Sequence, residues 1–440
     1  MQTKPDSPLL LEDLEAERLD MHFKGLPQSV LGTPLRDIGA AGIDVLDGAC
    51  LFPVAVLKQS ALEHNSRWMH GFLALTGTHI APHGKTTMAP QLFARQLEDG
   101  AWGITAATVS QMRIYRRHGV QRILFANQLT GKAEIDYVLD ELERDPRLDF
   151  YCLVDSVAGL QRLQARLALR TPSRPLQVLL EVGVENGRTG VRNVQEGIAL
   201  GRAIRDAAPA VVLRGIETFE GVFGGYDHVR LENAVRAMLD MVVQLARSGL
   251  VENWFGPQQV ILTAGGSAFF DLAAQCLSQS GLRERATVVL RSGCYLTHDS
   301  CHYERYAERM RARMPLLREL GPGLRPALEI VAQVQSLPEP GLAIAGFGKR
   351  DASFDIDLPK PIWWYRPGLH AAPQALDSEL AVKALNDQHA FLSSPGTPPL
   401  EVGDLLGFGI SHPCTTFDKW PLLLVVDDGY RVVSAVRTYF

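Results

Sequence analysis

Residues 259–295 read QVILTAGGSAFFDLAAQCLSQSGLRERATVVLRSGCY. Two apolar runs, QVILTA at 259–264 and TVVLRS at 287–292, each end in a polar turn that carries glycine. Runs that are apolar throughout, without strict alternation, suit parallel strands buried on both faces. Six more such runs precede them, at 79–83 (HIAPH), 103–107 (GITAA), 122–126 (RILFA), 150–155 (FYCLVD), 177–182 (QVLLEV) and 212–217 (VLRGIE). Helix-like stretches alternate with them at 108–118, 132–144, 156–169, 194–207 and 231–248. Eight strand-plus-helix units are the number that closes a (β/α)8 TIM-type barrel, an α/β fold, with an open doubly wound sheet as the alternative.

The flanks differ from this middle. An apolar run at 51–57 (LFPVAVL) leads into a helical stretch at 60–75, and 303–320 is helical and rich in Arg and Glu. From residue 325 on, short strand-like runs at 329–334, 342–345, 422–426 and 430–436 are broken by Gly and Pro. The expected domains are an N-terminal extension over 1–50 packing on a β-domain, a barrel over 51–320, and a C-terminal β-rich domain over 321–440 that carries a metal-site loop.

Composition bounds the function. Of 440 residues, 46% are hydrophobic and 21% charged, which suits a folded globular chain and excludes disordered and collagen-like classes. Lys and Arg number 44 against 49 Asp and Glu, a formal charge of −5, which speaks against nucleic acid or an anionic membrane as the main partner. The start has neither signal-peptide nor transit-peptide character, and no apolar stretch reaches membrane-span length. Six cysteines (Cys50, Cys152, Cys276, Cys294, Cys301 and Cys414) are too sparse for a disulfide scaffold, so a reducing cytoplasm is expected.

In a barrel the chemistry sits at the carboxyl ends of the strands. The first run is followed by Gly84-Lys85-Thr86, which puts Lys85 in the mouth, where desolvation would lower its pKa and make the amine nucleophilic. The fifth is followed by Glu185-Asn186-Gly187-Arg188-Thr189-Gly190, and the last two by Gly265-Gly266-Ser267 and Gly293-Cys294-Tyr295. Turns of the last two kinds can cradle a phosphate with backbone N–H groups. A phosphate on one side and an amine on the other suggest pyridoxal 5'-phosphate (PLP) in Schiff-base linkage.

Pro82-His83-Gly84-Lys85-Thr86, Gly103-Ile104-Thr105-Ala106-Ala107-Thr108, residues 183–191 (GVENGRTGV), 263–267 (TAGGS), 292–295 (SGCY) and Ser411-His412-Pro413-Cys414 resemble, in order, motifs of the D-serine dehydratase and D-threonine aldolase family. The resemblance implies the alanine racemase fold, a PLP-binding barrel joined to a β-domain. It makes Lys85 the Schiff-base lysine that also removes the α-proton. Arg188 matches the arginine near the phenolic oxygen of the cofactor, and His83 belongs to the same cofactor-binding set. Gly265, Gly266, Ser267, Gly293, Cys294 and Tyr295 match its phosphate turns. Where many relatives have tyrosine, this chain has Phe219.

His412 and Cys414 are two residues apart and share one face of an extended segment. The resemblance makes them the pair that holds Zn2+, or another divalent metal, in the dehydratases, whereas the aldolases look like His-x-Asp. A competing metal cluster is Cys294, His298, Cys301 and His302 with Asp299. A polar loop at 348–351 (GKRD), followed by Asp355 and Asp357, is a candidate to reach the active site of another subunit. The function so implied is a PLP- and zinc-dependent D-amino-acid dehydratase acting on a small amino acid, D-serine or a similar β-hydroxy D-amino acid, in a homodimer. An aldolase is the nearest alternative, followed by a racemase and a non-catalytic PLP-binding protein.

Overall fold

A computed structural model describes residues 9–170, 172–223, 228–376, 379–396 and 399–440. The first eight residues of the expected N-terminal extension lie outside the described residues. The chain divides into two compact units, one built from His70–Lys85 and Gln96–Gly293, the other from Leu9–Met69, Thr86–Arg95 and Cys294–Phe440.

All eight expected barrel runs are strands of the first unit: His79–Ile80, Ile104–Ala106, Arg122–Gln128, Asp149–Val154, Leu176–Val182, Val211–Thr218, Val260–Ala264 and Ala286–Leu290. Each pairs in parallel with its sequence neighbour from the second strand to the eighth, and the eighth pairs with the first. The first and second strands meet through a single parallel bridge, His83 to Thr105. The Trp102 N–H donates to the Ile80 carbonyl at 2.7 Å and the Thr105 N–H to the Pro82 carbonyl at 2.9 Å. This sheet curled on itself answers the choice left open above: an open sheet would leave those two edges unpaired. Ala81, just after the first strand, and Leu124, Leu153, Leu179, Ile261 and Val289, one from each of five strands, belong to a buried cluster. Helices begin where the residues provide caps. Thr108 Oγ1 accepts from the Gln111 N–H ahead of Val109–Arg117, and Asn193 accepts from the Glu196 N–H ahead of Val194–Asp206.

The second unit is built on a ten-stranded sheet. Its long strand Leu328–Glu339 pairs antiparallel with Leu405–Gly409 on one side and with Val54–Lys58 on the other, and Val54–Lys58 runs parallel to Leu422–Val426. The run at 51–57, expected to open the barrel segment, therefore contributes a strand to the β-unit. The division by contacts also falls at Cys294 rather than near 321–325. An apolar run reports burial on both faces but not the identity of its partner. The helix expected over 303–320 is His302–Arg313 followed by a tighter turn, Pro315–Leu320, because Pro315 has no N–H to continue the ladder. Leu14, Leu19, Phe23, Ile38 and Val45 share one buried cluster with Val56, Val331, Leu405 and Leu424.

Candidate active site

At the carboxyl ends of the barrel strands, His83, Lys85, Asn127, Arg188, Phe219, Gly265 and Arg291 line a cavity of about 200 Å³. The structure thus brings together Lys85, His83, Arg188 and Gly265, as the strand ends foretold. The expected desolvation of Lys85 is not found, since its side chain is exposed. His83 Nδ1 is buried and makes no hydrogen bond within the protein. Burial, then the charges of Lys85, Arg291 and Arg188, hold its imidazole well below the usual histidine range, so the ring is neutral. A cavity of about 290 Å³ at the opposite strand ends holds Arg122 and Asp149, already paired with each other at 2.9 Å.

The loop that carries Arg188 is pinned at its base. The Gly183 N–H donates to the Val191 carbonyl and the Val191 N–H to the Glu181 carbonyl, both at 2.9 Å. Gly190 has φ +96°, and a Cβ there would come within 2.3 Å of the Gly183 nitrogen, so glycine is required. Thr189 Oγ1 donates to the buried Glu181 carboxylate at 2.6 Å, and Arg188 Nη2 stands 3.9 Å from the same oxygen. The Arg188 guanidinium lies over the Phe219 ring, 4.9 Å from its centroid. Phe219 thus offers the loop an aromatic face without a hydroxyl.

Arg291 was hidden inside the last apolar run. Its buried guanidinium donates to Thr263 Oγ1 at 2.9 Å, to the Thr218 carbonyl at 3.0 Å and to Glu217 Oε1. Gly265 lets the two strand ends come close, because a Cβ there would meet the Arg291 backbone nitrogen at 2.3 Å. Burial pushes Glu217 up to about 8, against the pull of Arg291. A carboxyl raised in this way stabilises the fold fully below the ordinary carboxylate range and loses that contribution as pH rises through about 8. The thermal midpoint is expected to fall from about pH 5 to about pH 9, and Glu217→Gln to flatten that slope. An unchanged slope in the variant would show that Glu217 does not set it.

The expected phosphate turns are only partly as anticipated. Ser292 Oγ donates to the Gly266 carbonyl at 3.3 Å, joining the two turns. However, the Gly265 and Gly266 N–H groups already donate to the carboxylate of Glu220, at 3.0 and 2.6 Å. Ser267 follows in this turn, and Gly293 ends the barrel unit. Cys294 and Tyr295 belong to the second unit.

In the second unit, His412 Nδ1 hydrogen-bonds Asp355 Oδ2 at 2.6 Å, and Thr415 Oγ1 donates to Asp355 Oδ1 at 2.9 Å. This leaves His412 Nε2 as the nitrogen for another partner, the carboxylate–histidine arrangement that orients metal ligands. Cys414 Sγ lies 3.7 Å from Cys294 Sγ and 3.4 Å from Thr86 Oγ1. The Cys294 hydrogen bond holds the Cys414 thiol well below its usual range against the opposing burial, with His412 and Thr86 adding to the effect. Burial pulls His412 down, but Cys414 and Asp355 outweigh it and carry the imidazole up to about 9. A thiolate and an imidazole are donors that zinc accepts. Among the described residues, no three or more His, Cys, Asp or Glu side chains converge as a metal cluster.

Asp355→Asn is expected to weaken metal binding by roughly 10–100-fold while His412 and Cys414 remain. Titration against a chromophoric chelator measures this, and an unchanged affinity would remove Asp355 from the site.

The competing cluster does not assemble. Asp299 accepts from the N–H groups of Cys301 at 3.2 Å and Tyr303 at 2.9 Å, so it caps the start of His302–Arg313. His298 is buried and stacks on Tyr303 at 6.5 Å. In the polar loop, buried Asp351 takes Lys24 Nζ at 2.7 Å within its own unit, a structural ion pair.

The barrel residues fit PLP in chemistry. They offer an amine, two guanidinium groups and a buried imidazole nitrogen that lacks a partner, with the Glu220 contact as the one conflict. Residues 57–257 match the family "Alanine racemase, N-terminal domain", and 327–426 match "Putative serine dehydratase domain". The chain is 26% identical over 382 residues to a D-threonine aldolase of Arthrobacter sp, spanning 86% of this chain and 89% of that protein. The D-threonine aldolase structure from Filomicrobium marinum superposes with a TM-score of 0.69 at 18% identity, covering 90% of this chain and 96% of that one. The D-threo-3-hydroxyaspartate dehydratase from Delftia sp. HT23 does so with a TM-score of 0.67 at 20% identity, covering 88% and 97%. Fold and strand-end residues together define an alanine racemase-like protein. The matched domains and the relatives fit the D-serine dehydratase and D-threonine aldolase family.

Proposed function

We propose that this protein is a PLP- and metal-dependent D-amino-acid dehydratase that converts D-serine or a similar β-hydroxy D-amino acid to a 2-oxo acid and ammonia. The observation that carries this reading is the donor pair His412 and Cys414, with Asp355 orienting the imidazole. A thiolate at that position is the feature by which the resemblance separates dehydratases from aldolases. A D-threo-3-hydroxyaspartate dehydratase variant is described in a metal-free form, which fits a metal in that relative.

Lys85 is the amine that would hold the cofactor's aldehyde carbon and, in its free form, the base that takes the Cα proton. Arg188 and Arg291 supply positive charge to the cavity, and His83 Nδ1 is left for a partner from outside the protein. When bound, PLP supplies an electron sink for the pair left on Cα. A metal on His412 and Cys414 would supply Lewis acidity toward the β-hydroxyl. Loss of water leaves an aminoacrylate, which hydrolyses to the 2-oxo acid and ammonia. Within the second unit, Thr86, the residue after Lys85 in the chain, touches Cys414.

The second reading, a D-threonine-type aldolase, is favoured by the similarity to the Arthrobacter enzyme over most of the chain. A panel of D-amino acids, with and without chelator, decides between them. A 2-oxo acid plus ammonia, lost on chelation, supports the dehydratase; glycine plus an aldehyde would overturn it. Among the described residues no helix is long and apolar enough to cross a membrane. The family resemblance supports a homodimer, which sedimentation at two concentrations tests.

A further inference from the structure

The hydrogen bonds of Glu220 run against what the cofactor needs. Glu220 opens the short turn Glu220–Val222 after the sixth barrel strand and is 1% exposed. Its two carboxylate oxygens are divided between successive N–H groups, Oε2 taking Gly265 at 3.0 Å and Oε1 taking Gly266 at 2.6 Å. These groups open the turn after Val260–Ala264, where a barrel can place a phosphate. The glycines keep the backbone bare for a close acceptor: a Cβ on Gly266 would already stand 3.2 Å from Glu220 Oε1. A carboxylate and a phosphate cannot both accept from the same two N–H groups, and side by side in a buried turn they repel.

We propose that Glu220 is a built-in competitor for the cofactor's phosphate, seated on the Gly265–Gly266 turn and obliged to leave before phosphate takes those N–H groups. The proposal rests on the reading of this barrel as a PLP site. The residue then tunes cofactor retention without touching the aldehyde chemistry at Lys85. The observed affinity for any phosphate-bearing pyridoxal is lowered by the fraction of molecules in which Glu220 holds the turn. Pyridoxal itself, which lacks the phosphate, escapes this competition.

The test compares full-length cofactor-stripped protein with Glu220→Gln and Glu220→Asp, titrated with PLP and separately with pyridoxal, reading the absorbance of the bound group. Glutamine keeps the size and removes the charge; aspartate keeps the charge but is one methylene too short to reach both N–H groups. Glu220→Gln is expected to bind PLP at least about tenfold more tightly, with pyridoxal affinity within about twofold of wild type. Glu220→Asp is expected to shift in the same direction and decides the matter if the glutamine variant does not fold. PLP affinity that is unchanged or weaker overturns the proposal, as does an equal gain for PLP and pyridoxal. If wild type binds PLP but neither variant gains, only this proposal fails. If wild type binds neither ligand, the cofactor reading fails and takes the proposal with it.

Discussion

Lys85→Ala is expected to lower turnover by roughly 10³-fold or more and to leave no cofactor on the chain after borohydride reduction. The reasoning is geometric. Among the groups lining the cavity, Arg188 and Arg291 are guanidinium groups, which stay protonated and do not form a carbon–nitrogen link with an aldehyde. His83 is held neutral but has no primary amine. On the proposed reading Lys85 would supply both the covalent attachment and the base, and its loss would remove both at once. Lys85→Arg restores the charge and not the chemistry, so it should fail equally. A Lys85→Ala protein that still retains a borohydride-reducible link would refute the assignment.

Cys414→Ala is expected to weaken metal binding by more than about 100-fold, beyond the loss from an outer partner such as Asp355. With the thiolate gone, His412 is the sole remaining member of the pair, and formation of the 2-oxo acid should fall with metal content. Cys414→Asp keeps an anionic donor two residues from His412 and should retain more metal than the alanine variant. Metal analysis after dialysis, alongside ammonia release, reads both effects. Full metal content in Cys414→Ala would exclude this cysteine as a ligand.

Much of the barrel was legible because its signal is local. Strands buried on both faces need apolar residues at every position, and residues 79–292 repeat that pattern eight times. The β-unit was less so. Lys360–Tyr365 and Leu405–Gly409 carry Pro361, Gly407 and Gly409, which read as breaks, although the two strands pair antiparallel. Val54–Lys58 has the composition of a barrel strand and joins the other sheet, since pairing depends on register with Leu328–Glu339 and Leu422–Val426.

The candidate site divides in the same way. Lys85, Arg188 and Gly265 could be named because each follows a strand at its carboxyl end, and chain direction alone places such residues at one mouth, whereas His83 came from the resemblance. His412 and Cys414 were named through the family resemblance, and the extended segment expected there is absent: Pro413 is helical and Cys414 opens the short helix Cys414–Phe417. Only the tertiary structure pairs Arg291 with Glu217, Asp355 with His412, and Glu220 with the Gly265–Gly266 turn. The members of each pair are 45 to 74 residues apart. Their meeting depends on sheet register and loop path, which no local periodicity encodes, and these contacts set the charge and hydrogen-bonding state of the groups that the residue pattern had already named.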